Sequence, residues 1–178
     1  NKIRNKICLV YKEIIESYGF NSIYLPMMEK ANLYFRTSGV ESDICNKELF
    51  EVRRYRDEFQ DLVLRPEGTA SCMREIIDNN LLIESKEGRF YYIGEMFRYN
   101  RAQRGRLRQH VQLGCEFIGS DSVYSDYEII ELACNFLNKL NLKYELEINS
   151  IGTKEDRDVY REQLKEYFEK NDIKCEKD

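Results

Sequence analysis

The sequence predicts an α+β fold in which a mainly antiparallel sheet is flanked by helices. Segments typical of β-strands come in hairpin-like pairs, and helical patterns lie between and after them. The alternating βαβ units with a G-x-G-x-x-G turn that are typical of dinucleotide-binding folds are absent from the sequence. The chain has 178 residues, 42% hydrophobic and 34% charged, which is the composition of a globular domain rather than of a disordered segment.

The first half of the chain shows both periodicities. Apolar residues recur at helical spacing before Gly19, and the shorter apolar runs that follow are bounded by proline. In order, the pattern predicts a helix over residues 3–18 ended by Gly19, a strand over 20–25 ended by Pro26, a hairpin of strands over 48–53 and 58–64 closed by Arg65-Pro66, and a helix over 68–79.

The second half repeats this alternation of strands and helices. Two runs rich in aromatic and β-branched residues flank an arginine-rich loop that contains Gly105, which is typical of a strand pair. In order, the pattern predicts strands over residues 90–98 and 108–118, a helix over 126–140 opened by a capping box of Ser125 and Glu128, a strand over 142–148, and a charged helix capped by Thr153 that runs toward Lys170.

Several classes of protein are disfavoured by composition. The six cysteines are scattered without a C-x-x-C pair, and His110, the only histidine, has no cysteine near it in sequence. A disulfide framework or a zinc site would cluster these residues, so we expect buried thiols in a reducing cytoplasm and no metal site. No apolar run approaches the roughly 20 residues that span a bilayer, so no membrane association is expected.

Charge along the chain is uneven. The net charge of −4 is not typical of a protein that binds polyanions. One stretch is nevertheless strongly basic and contains no Asp or Glu between its arginines, which are Arg98, Arg101, Arg104, Arg106 and Arg108. This contrast predicts that a ligand carrying phosphate binds there.

The strand over residues 108–118 has one polar face. Alternation places on that face Arg108, His110, Gln112, Gly114 and Glu116. Such a face is costly to bury unless it meets a polar ligand, and pairing with the preceding strand would bring Arg98 toward Gln112 and Glu116. Gly94 and Gly114 then predict floor space for a flat ligand. A solvated sheet face explains the same alternation, so both interpretations stay open at this point.

A second candidate site is the segment Leu64-Arg65-Pro66-Glu67-Gly68-Thr69-Ala70. It places a carboxylate and a hydroxyl at a strand-to-helix junction, where backbone N–H groups lack partners. Taken alone, the segment is explained more simply as a plain helix start, with Pro66 ending the strand and with Glu67 and Thr69 capping the helix.

The two segments together resemble the histidyl-tRNA synthetase family of class II aminoacyl-tRNA synthetases. The run at 64–70 is similar to the amino-acid-binding loop of that family, and Tyr24-Leu25-Pro26 is similar to class II motif 1. Class II motif 2 is resembled by Phe97-Arg98, Arg106-x-Arg108-Gln109 and Gln112-Leu113-Gly114-Cys115-Glu116. Asn149-Ser150-Ile151-Gly152 also fits, so the resemblance covers nearly the whole chain.

For the amino acid, the resemblance implies a set of binding residues. Arg98 holds the position of the catalytic arginine, which grips the carboxylate of the amino acid and the α-phosphate of ATP. A planar guanidinium suits that task because it can bridge two anions. Glu67, Thr69 and Gln112 match residues that hold the α-amino group, and Glu116 matches the residue that orients the imidazole ring.

For the nucleotide, the resemblance implies that Arg98, Asn100 and Arg106 contact ATP, with Mg2+ bound to the substrate rather than to the protein. Asn100 stands where the family usually has an acidic residue that contacts adenine, and an amide can still accept a hydrogen bond. His110 replaces the more usual aromatic residue, and we interpret it as pocket wall rather than as a catalytic group.

The resemblance also implies the larger organisation. Residues 1–178 are expected to be a partial catalytic domain with motifs 1 and 2, whose sheet is incomplete on its C-terminal side. Motif 3 and the anticodon-binding domain are expected beyond Asp178, so this fragment alone should not complete adenylation. The implied substrates are L-histidine, ATP and tRNA(His), and the implied assembly is a cytoplasmic homodimer built across the Tyr24-Leu25-Pro26 segment.

Three alternatives remain at the level of sequence. A regulatory subunit of ATP phosphoribosyltransferase, which senses histidine on the same fold, would be a binding module without catalysis. A class II synthetase for threonine or proline would share motifs 1 and 2 but would not be expected to carry both of the longer runs quoted above. A purely structural α+β domain would bind no ligand in the cleft.

Overall fold

The computed structural model describes residues 2–38, 48–52, 61–83, 85–101, 103–150 and 152–171. The helices within these residues are α1 (Lys2–Ser17), α2 (Ala31–Ser38), α3 (Thr69–Asp78), α4 (Val123–Lys139) and α5 (Lys154–Lys170). The strands are β1 (Asn21–Ser22), β2 (Met28–Lys30), β3 (Phe50–Val52), β4 (Leu62–Leu64), β5 (Gly88–Phe97) and β6 (Gln109–Ile118). The predicted α+β class is confirmed, and the chain divides after Lys143 into two compact units.

The main sheet of the first unit has the order β1-β5-β6. Strands β5 and β6 pair antiparallel from Gly88 opposite Ile118 to Phe97 opposite Gln109, as their sequence pattern predicts. Strand β1 joins β5 in parallel, and the N–H of Ile23 extends the pairing by donating to the carbonyl of Tyr91 at 2.9 Å. The predicted strand over residues 20–25 is therefore shorter than expected.

A second, smaller sheet lies in the same unit with the order β2-β4-β3, all antiparallel. The predicted hairpin strands appear as its β3 and β4, although each is shorter than expected and residues 53–60 lie outside the described residues. Strand β2 and helix α2 were not predicted from the sequence. The segment Met28-Glu29-Lys30 lacks the β-branched residues typical of strands, so only its pairing with β4 reveals it.

Helices cover both faces of the β5–β6 hairpin. On one face, α1 and α4 pack against Tyr91, whose neighbours there include Leu113 and Phe117. On the other face, α3 packs Cys72 and Ile76 against buried residues of the hairpin and of the segment after β1, namely Leu25, Tyr92 and Met96. A third cluster joins α2, β4 and α3. The polar face of β6 therefore lies on the α3 side, where the first turn of α3 meets the hairpin.

The predicted capping box at the start of α4 is wrong. The helix begins at Val123, and its N-cap is Ser122, whose hydroxyl accepts a hydrogen bond from the backbone N–H of Tyr124 at 3.2 Å. Ser125 lies inside the first turn and bonds to Ser120 instead, and Glu128 forms an ion pair with Arg89 on β5. Two serines three residues apart both fit the capping pattern, and tertiary contacts decide between them.

The predicted strand over residues 142–148 is also wrong. The described residues from 142 to 150 form no strand, and their apolar side chains Leu142, Tyr144, Leu146 and Ile148 are all exposed. Alternation produces a strand only where a neighbouring strand completes the hydrogen-bond ladder. The described part of the second unit, to which residues from 144 onward belong, contains no such strand.

The described part of the second unit consists of residues 144–150, which form no strand, and of helix α5. The predicted cap is confirmed, because Thr153 and Asp156 form a reciprocal capping box. No residue of α5 is buried within the described structure. None of the helices in the described part of the chain is long and apolar enough to cross a membrane.

Candidate functional site

Side chains from the 64–70 segment and from the polar face of the hairpin meet beside the N-terminus of α3. We call this set the inner cluster, and its members are Glu67, Thr69, Tyr92, Gln112 and Glu116. The strand register explains this meeting. Tyr92 lies opposite Gly114, and Gln112 lies two pairs further along, opposite Gly94, on the same face of the hairpin. The start of α3 crosses above them.

The junction between β4 and α3 is held by polar side chains. The Glu67 carboxylate accepts hydrogen bonds from the backbone N–H groups of Thr69 at 2.5 Å and Ala70 at 3.0 Å. Gln112 accepts one from the N–H of Gly68 at 3.1 Å through its side-chain oxygen. The helix-start interpretation is therefore correct for Glu67. A carboxylate has about four lone-pair sites, so Glu67 also keeps the capacity to accept from a ligand.

Glu116 occupies the inner end of the cluster. The hydroxyl of Tyr92 donates to its carboxylate at 3.2 Å. Burial raises the pKa of Glu116, hydrogen bonding by Thr69 and Tyr92 lowers it, and the nearby charge of Glu67 raises it again, with a net upward shift. Burial likewise raises the pKa of Tyr92, which keeps its hydroxyl protonated as a donor. A half-buried carboxylate of this kind suits a ligand that presents an N–H.

The predicted floor space over Gly94 and Gly114 is wrong, because side chains of the protein fill it. A Cβ atom added at Gly114 would lie 2.2 Å from the ring of Tyr92, and one added at Gly68 would meet the same ring at 2.2 Å. At Gly94, the added atom would lie 2.2 Å from a guanidinium nitrogen of Arg65. These glycines admit Tyr92 and Arg65 across the sheet, and the tyrosine becomes the floor of the inner cluster.

A cavity of about 360 Å³ opens next to the inner cluster at the loop end of the hairpin. We call it the outer cavity, and its described lining residues are Glu48, Arg98, Asn100, Gly105, Arg106, Leu107 and His110. The loop folds back through a turn in which the N–H of Arg106 donates to the carbonyl of Gln103 at 3.1 Å and Gly105 takes a φ of 84°. That left-handed conformation favours glycine.

Arg98 stands at the border between the two parts of the site. Its Nε donates to the carbonyl of Pro66 at 2.9 Å, which ties it to the loop that carries Glu67. The same side chain lines the outer cavity together with Arg106. From the sequence pattern, Arg98 was predicted to share a cleft with Gln112 and Glu116. The structure holds Arg98 through Pro66, between the inner cluster and the cavity.

The arginine-rich loop does not contribute all its cations to the cavity. Of the five arginines predicted to form a phosphate site, Arg98 and Arg106 line it. The guanidinium of Arg108 instead stacks over the ring of Tyr99, 4.1 Å from its centroid. Arg101 and Arg104 are exposed. The predicted anion site thus narrows to two arginines with Asn100 beside them.

His110 lies on the wall of the outer cavity. Its pKa is lowered, first by burial and then by the charge of Arg98, against a smaller opposing effect of Glu95. The imidazole is therefore neutral at pH 7 and does not compete with the two arginines for an anion.

The described residues contain no cluster of three or more His, Cys, Asp or Glu side chains that could hold a metal ion. Among the cysteines in this part of the chain, Cys8, Cys72, Cys115 and Cys134 are free thiols. Cys45 and Cys175 lie outside the described residues.

Two residues beside the site were missed as site residues by sequence analysis. Tyr92 is only 3% exposed and forms the floor of the inner cluster. Arg65, 5% exposed, bonds to backbone carbonyls on two sides. The sequence signal for both residues was the pair of glycines at 94 and 114. Glycine in a strand indicates that another group approaches closely, but it does not identify that group.

Comparison with known proteins identifies relatives over most of the chain. The family profile described as histidyl-tRNA synthetase matches residues 3–153. A histidine–tRNA ligase from Thermotoga petrophila is 44% identical over 164 residues, which cover 89% of this chain and 37% of that protein. The chain therefore spans well under half the length of the curated relatives it matches.

Solved structures give the same result. The crystal structure of apo histidyl-tRNA synthetase from S. aureus is similar with a TM-score of 0.69 and 28% identity, over 98% of this chain and 40% of that chain. A structure described as an ATP phosphoribosyltransferase regulatory subunit/histidyl-tRNA synthetase from Bacillus halodurans has a TM-score of 0.65 and 30% identity, over 80% of this chain and 35% of that one.

Proposed function

The chain belongs to the histidyl-tRNA synthetase family, and from that premise we propose that the protein activates L-histidine with ATP and transfers it to tRNA(His). The family assignment confirms the resemblance seen in the motifs. The observation that carries the proposal is the position of Arg98. It lies between a half-buried carboxylate cluster and a cavity lined by arginine, where an amino acid and a nucleotide would have to meet to react.

In this proposal the inner cluster binds histidine. An ammonium needs acceptors, which Glu67, Thr69 and the side-chain oxygen of Gln112 provide. Glu116 faces the imidazole and accepts its N–H, and the Tyr92 hydroxyl holds the carboxylate in place. A site built to hydrogen-bond a polar ring rejects apolar side chains of similar size, because they would leave Glu116 buried without its ligand partner.

The outer cavity binds ATP in the proposal. Arg106 and Arg98 meet the phosphates, and Asn100 contacts the adenine. An oxygen of the histidine carboxylate attacks the α-phosphorus, a new P–O bond forms, and pyrophosphate leaves with the electrons of the broken bond. Arg98 stabilises the charge that develops on the α-phosphate, and the neutral His110 leaves that field undisturbed.

Mg2+ would arrive with ATP and share the phosphate charge.

We further propose that the chain is the N-terminal part of the catalytic domain and that the protein is a homodimer. The first point is supported by the 37% share of the Thermotoga relative that the chain covers. The second is supported by the segment around Pro26, where Leu25 is buried while Tyr24 is 84% exposed and Met28 53% exposed. Sedimentation of the full-length protein checks the second point, and a monomer at micromolar concentration would contradict it.

The activity is tested by amino-acid-dependent exchange of pyrophosphate into ATP, with the full-length protein and a panel of amino acids. We expect exchange with histidine alone. Exchange with a different amino acid would support ATP-dependent activation of an amino acid but refute the role of Glu116 in recognising the imidazole. Histidine binding without exchange would favour a regulatory subunit, the second function that the name of the Bacillus halodurans structure carries. The arginine-lined outer cavity favours the synthetase, because a histidine sensor does not need it.

A further inference from the structure

Arg65 is a charged residue in an unusual place. Only 5% of its surface is exposed, although arginine is almost never fully buried without partners. Within the described residues its guanidinium group bonds only to backbone carbonyls: Nε to Glu95 at 2.9 Å, and Nη1 to Leu25 at 2.5 Å and Pro26 at 3.2 Å. One side chain thus joins strand β5 to the segment that follows β1.

The backbone of Arg65 makes the same two connections. Its N–H donates to the carbonyl of Met27 at 2.9 Å, and its carbonyl accepts from the N–H of Phe97 at 3.0 Å. Arg65 is therefore fixed from both ends, directly before Pro66. The carbonyl of Pro66 accepts the hydrogen bond from Nε of Arg98. Proline has a locked φ, which removes one of the two backbone rotations between Arg65 and that carbonyl.

We propose that Arg65 is a positioning residue. Its buried guanidinium fixes the backbone directly before Pro66, and this places the Pro66 carbonyl that orients Arg98 toward the reacting groups. The inference rests on the proposed function, because it gives Arg65 a part in orienting Arg98 for the proposed reaction. Arg65 acts through hydrogen bonds to backbone and touches neither substrate. Lysine is a poor replacement, since an ammonium lacks the fork that reaches carbonyls on two sides.

Gly94 makes room for the guanidinium of Arg65. A Cβ atom there would lie 2.2 Å from Nη2 of Arg65, so the glycine leaves open the space that the guanidinium occupies beside the strand. Gly94→Ala therefore displaces the guanidinium without removing it. Gly88→Ala, on the same strand, is the matched control, because its Cβ would crowd Leu82 and Phe90, each at 2.5 Å, and not Arg65.

A double-mutant cycle tests the proposal in the full-length protein, with kcat for histidine-dependent pyrophosphate exchange as the readout. Arg65→Lys should lower kcat at least about tenfold in the wild-type background. In the Arg98→Lys background the loss should be less than about threefold, because the guanidinium that Arg65 orients is already absent there. The KM values for histidine and ATP should change less than kcat. Equal losses in the two backgrounds would mean that Arg65 only stabilises the fold, and would overturn the proposal.

Two controls separate positioning from stability. Arg74 on α3 is another arginine with several partners, among them Glu29 of β2 at 3.0 Å. Arg74→Lys weakens these ion pairs and should reduce thermal stability while leaving kcat within about threefold. Gly94→Ala should reproduce the kcat loss of Arg65→Lys, whereas Gly88→Ala should not. If the two glycine variants lose kcat equally, crowding of the strand explains the effect and the proposal fails.

A second readout does not depend on catalysis. In crystals of the Arg65→Lys protein, the distance from Arg98 Nε to the Pro66 carbonyl should exceed about 3.5 Å, beyond hydrogen-bond range. An unchanged distance would refute the inference even if wild-type exchange with histidine is strong. Absence of exchange in the wild type would instead refute the proposed function, and the crystallographic distance would still decide the role of Arg65.

Discussion

The inner cluster and the outer cavity differ in how they are built. In the inner cluster the acceptors are already engaged with the protein: Glu67 with backbone N–H groups, Gln112 with Gly68, and Glu116 with Tyr92. The outer cavity is lined by exposed loop residues such as Arg106, and by Leu107, which is 64% exposed. The acceptors of the inner cluster are held in place before a ligand binds, whereas the outer cavity contributes chiefly the positive charge of its arginines.

This difference indicates where selectivity and where catalytic charge reside. A preorganised set of acceptors loses little entropy on binding, so it can discriminate between ligands by geometry. A loop with two arginines attracts any polyphosphate and contributes most once the phosphate charge develops in the transition state. We therefore expect substitutions in the inner cluster to change amino acid affinity, and substitutions at its border with the cavity to change the rate.

The largest effect is expected at that border. Arg98→Lys should lower kcat for pyrophosphate exchange by about 100-fold or more, because a lysine cannot bridge the carboxylate and the α-phosphate as a planar fork does. Steady-state exchange kinetics on the full-length protein measure it. Arg101→Lys, in the same loop but outside the described cavity lining, is the control and should stay within about threefold. Equal losses in both variants would remove the distinction between Arg98 and general loop charge.

The next effect is on affinity in the inner cluster. Glu116→Gln keeps the shape of the side chain and removes its charge, so the KM for histidine should rise about 30-fold, while the KM for ATP stays within about twofold. Glu95→Gln is the control, because Glu95 lies on the opposite face of the hairpin and pairs with Arg4. A comparable rise in the KM for ATP would show that the two parts of the site do not divide the substrates.

Tyr92 offers a test of the preorganised floor. Gly114→Ala places a Cβ 2.2 Å from the ring of Tyr92 and should shift the hydroxyl away from Glu116. We expect a cost of about 1–3 kcal/mol in the free energy of unfolding, typical of an overpacked core, and a loss of about tenfold in kcat/KM for histidine. Denaturant titration and exchange kinetics measure the two quantities. Wild-type kcat/KM in a destabilised variant would show that Tyr92 supports the fold but not the site.

The smallest effect separates stability from function at one residue. Folding raises the pKa of Glu116 above its ordinary value of 4.5, chiefly through burial, so the native state binds this proton more tightly than the unfolded state. Its contribution to stability is therefore complete below pH 4.5 and is lost as pH rises through the folded-state pKa. Glu116→Gln should raise the melting temperature at pH 7, and the gain should vanish below pH 4.5. A lower melting temperature at pH 7 would contradict the destabilisation that we attribute to burial of this carboxylate.

Much of this arrangement could be predicted from local pattern, and the remainder depends on tertiary contacts. Alternation along β5 and β6 correctly placed Gln112 and Glu116 on one face, because a long hairpin fixes its own register. The glycines at 94 and 114 were misinterpreted as empty floor, since a glycine does not reveal which side chain will fill the space beside it. The short strand β2 and the cap at Ser122 were missed for a similar reason: partners distant in sequence select them.

The division of the site between amino acid and nucleotide is tested most directly by a crystal structure of the full-length protein with a non-hydrolysable analogue of histidyl-adenylate. We expect the imidazole within hydrogen-bond distance of Glu116, the phosphate mimic against Arg98, and the adenosine in the outer cavity. An analogue bound with its imidazole away from Glu116, or with Arg98 turned away from the phosphate mimic, would contradict the division of the site into a part that selects the amino acid and a part that binds the nucleotide.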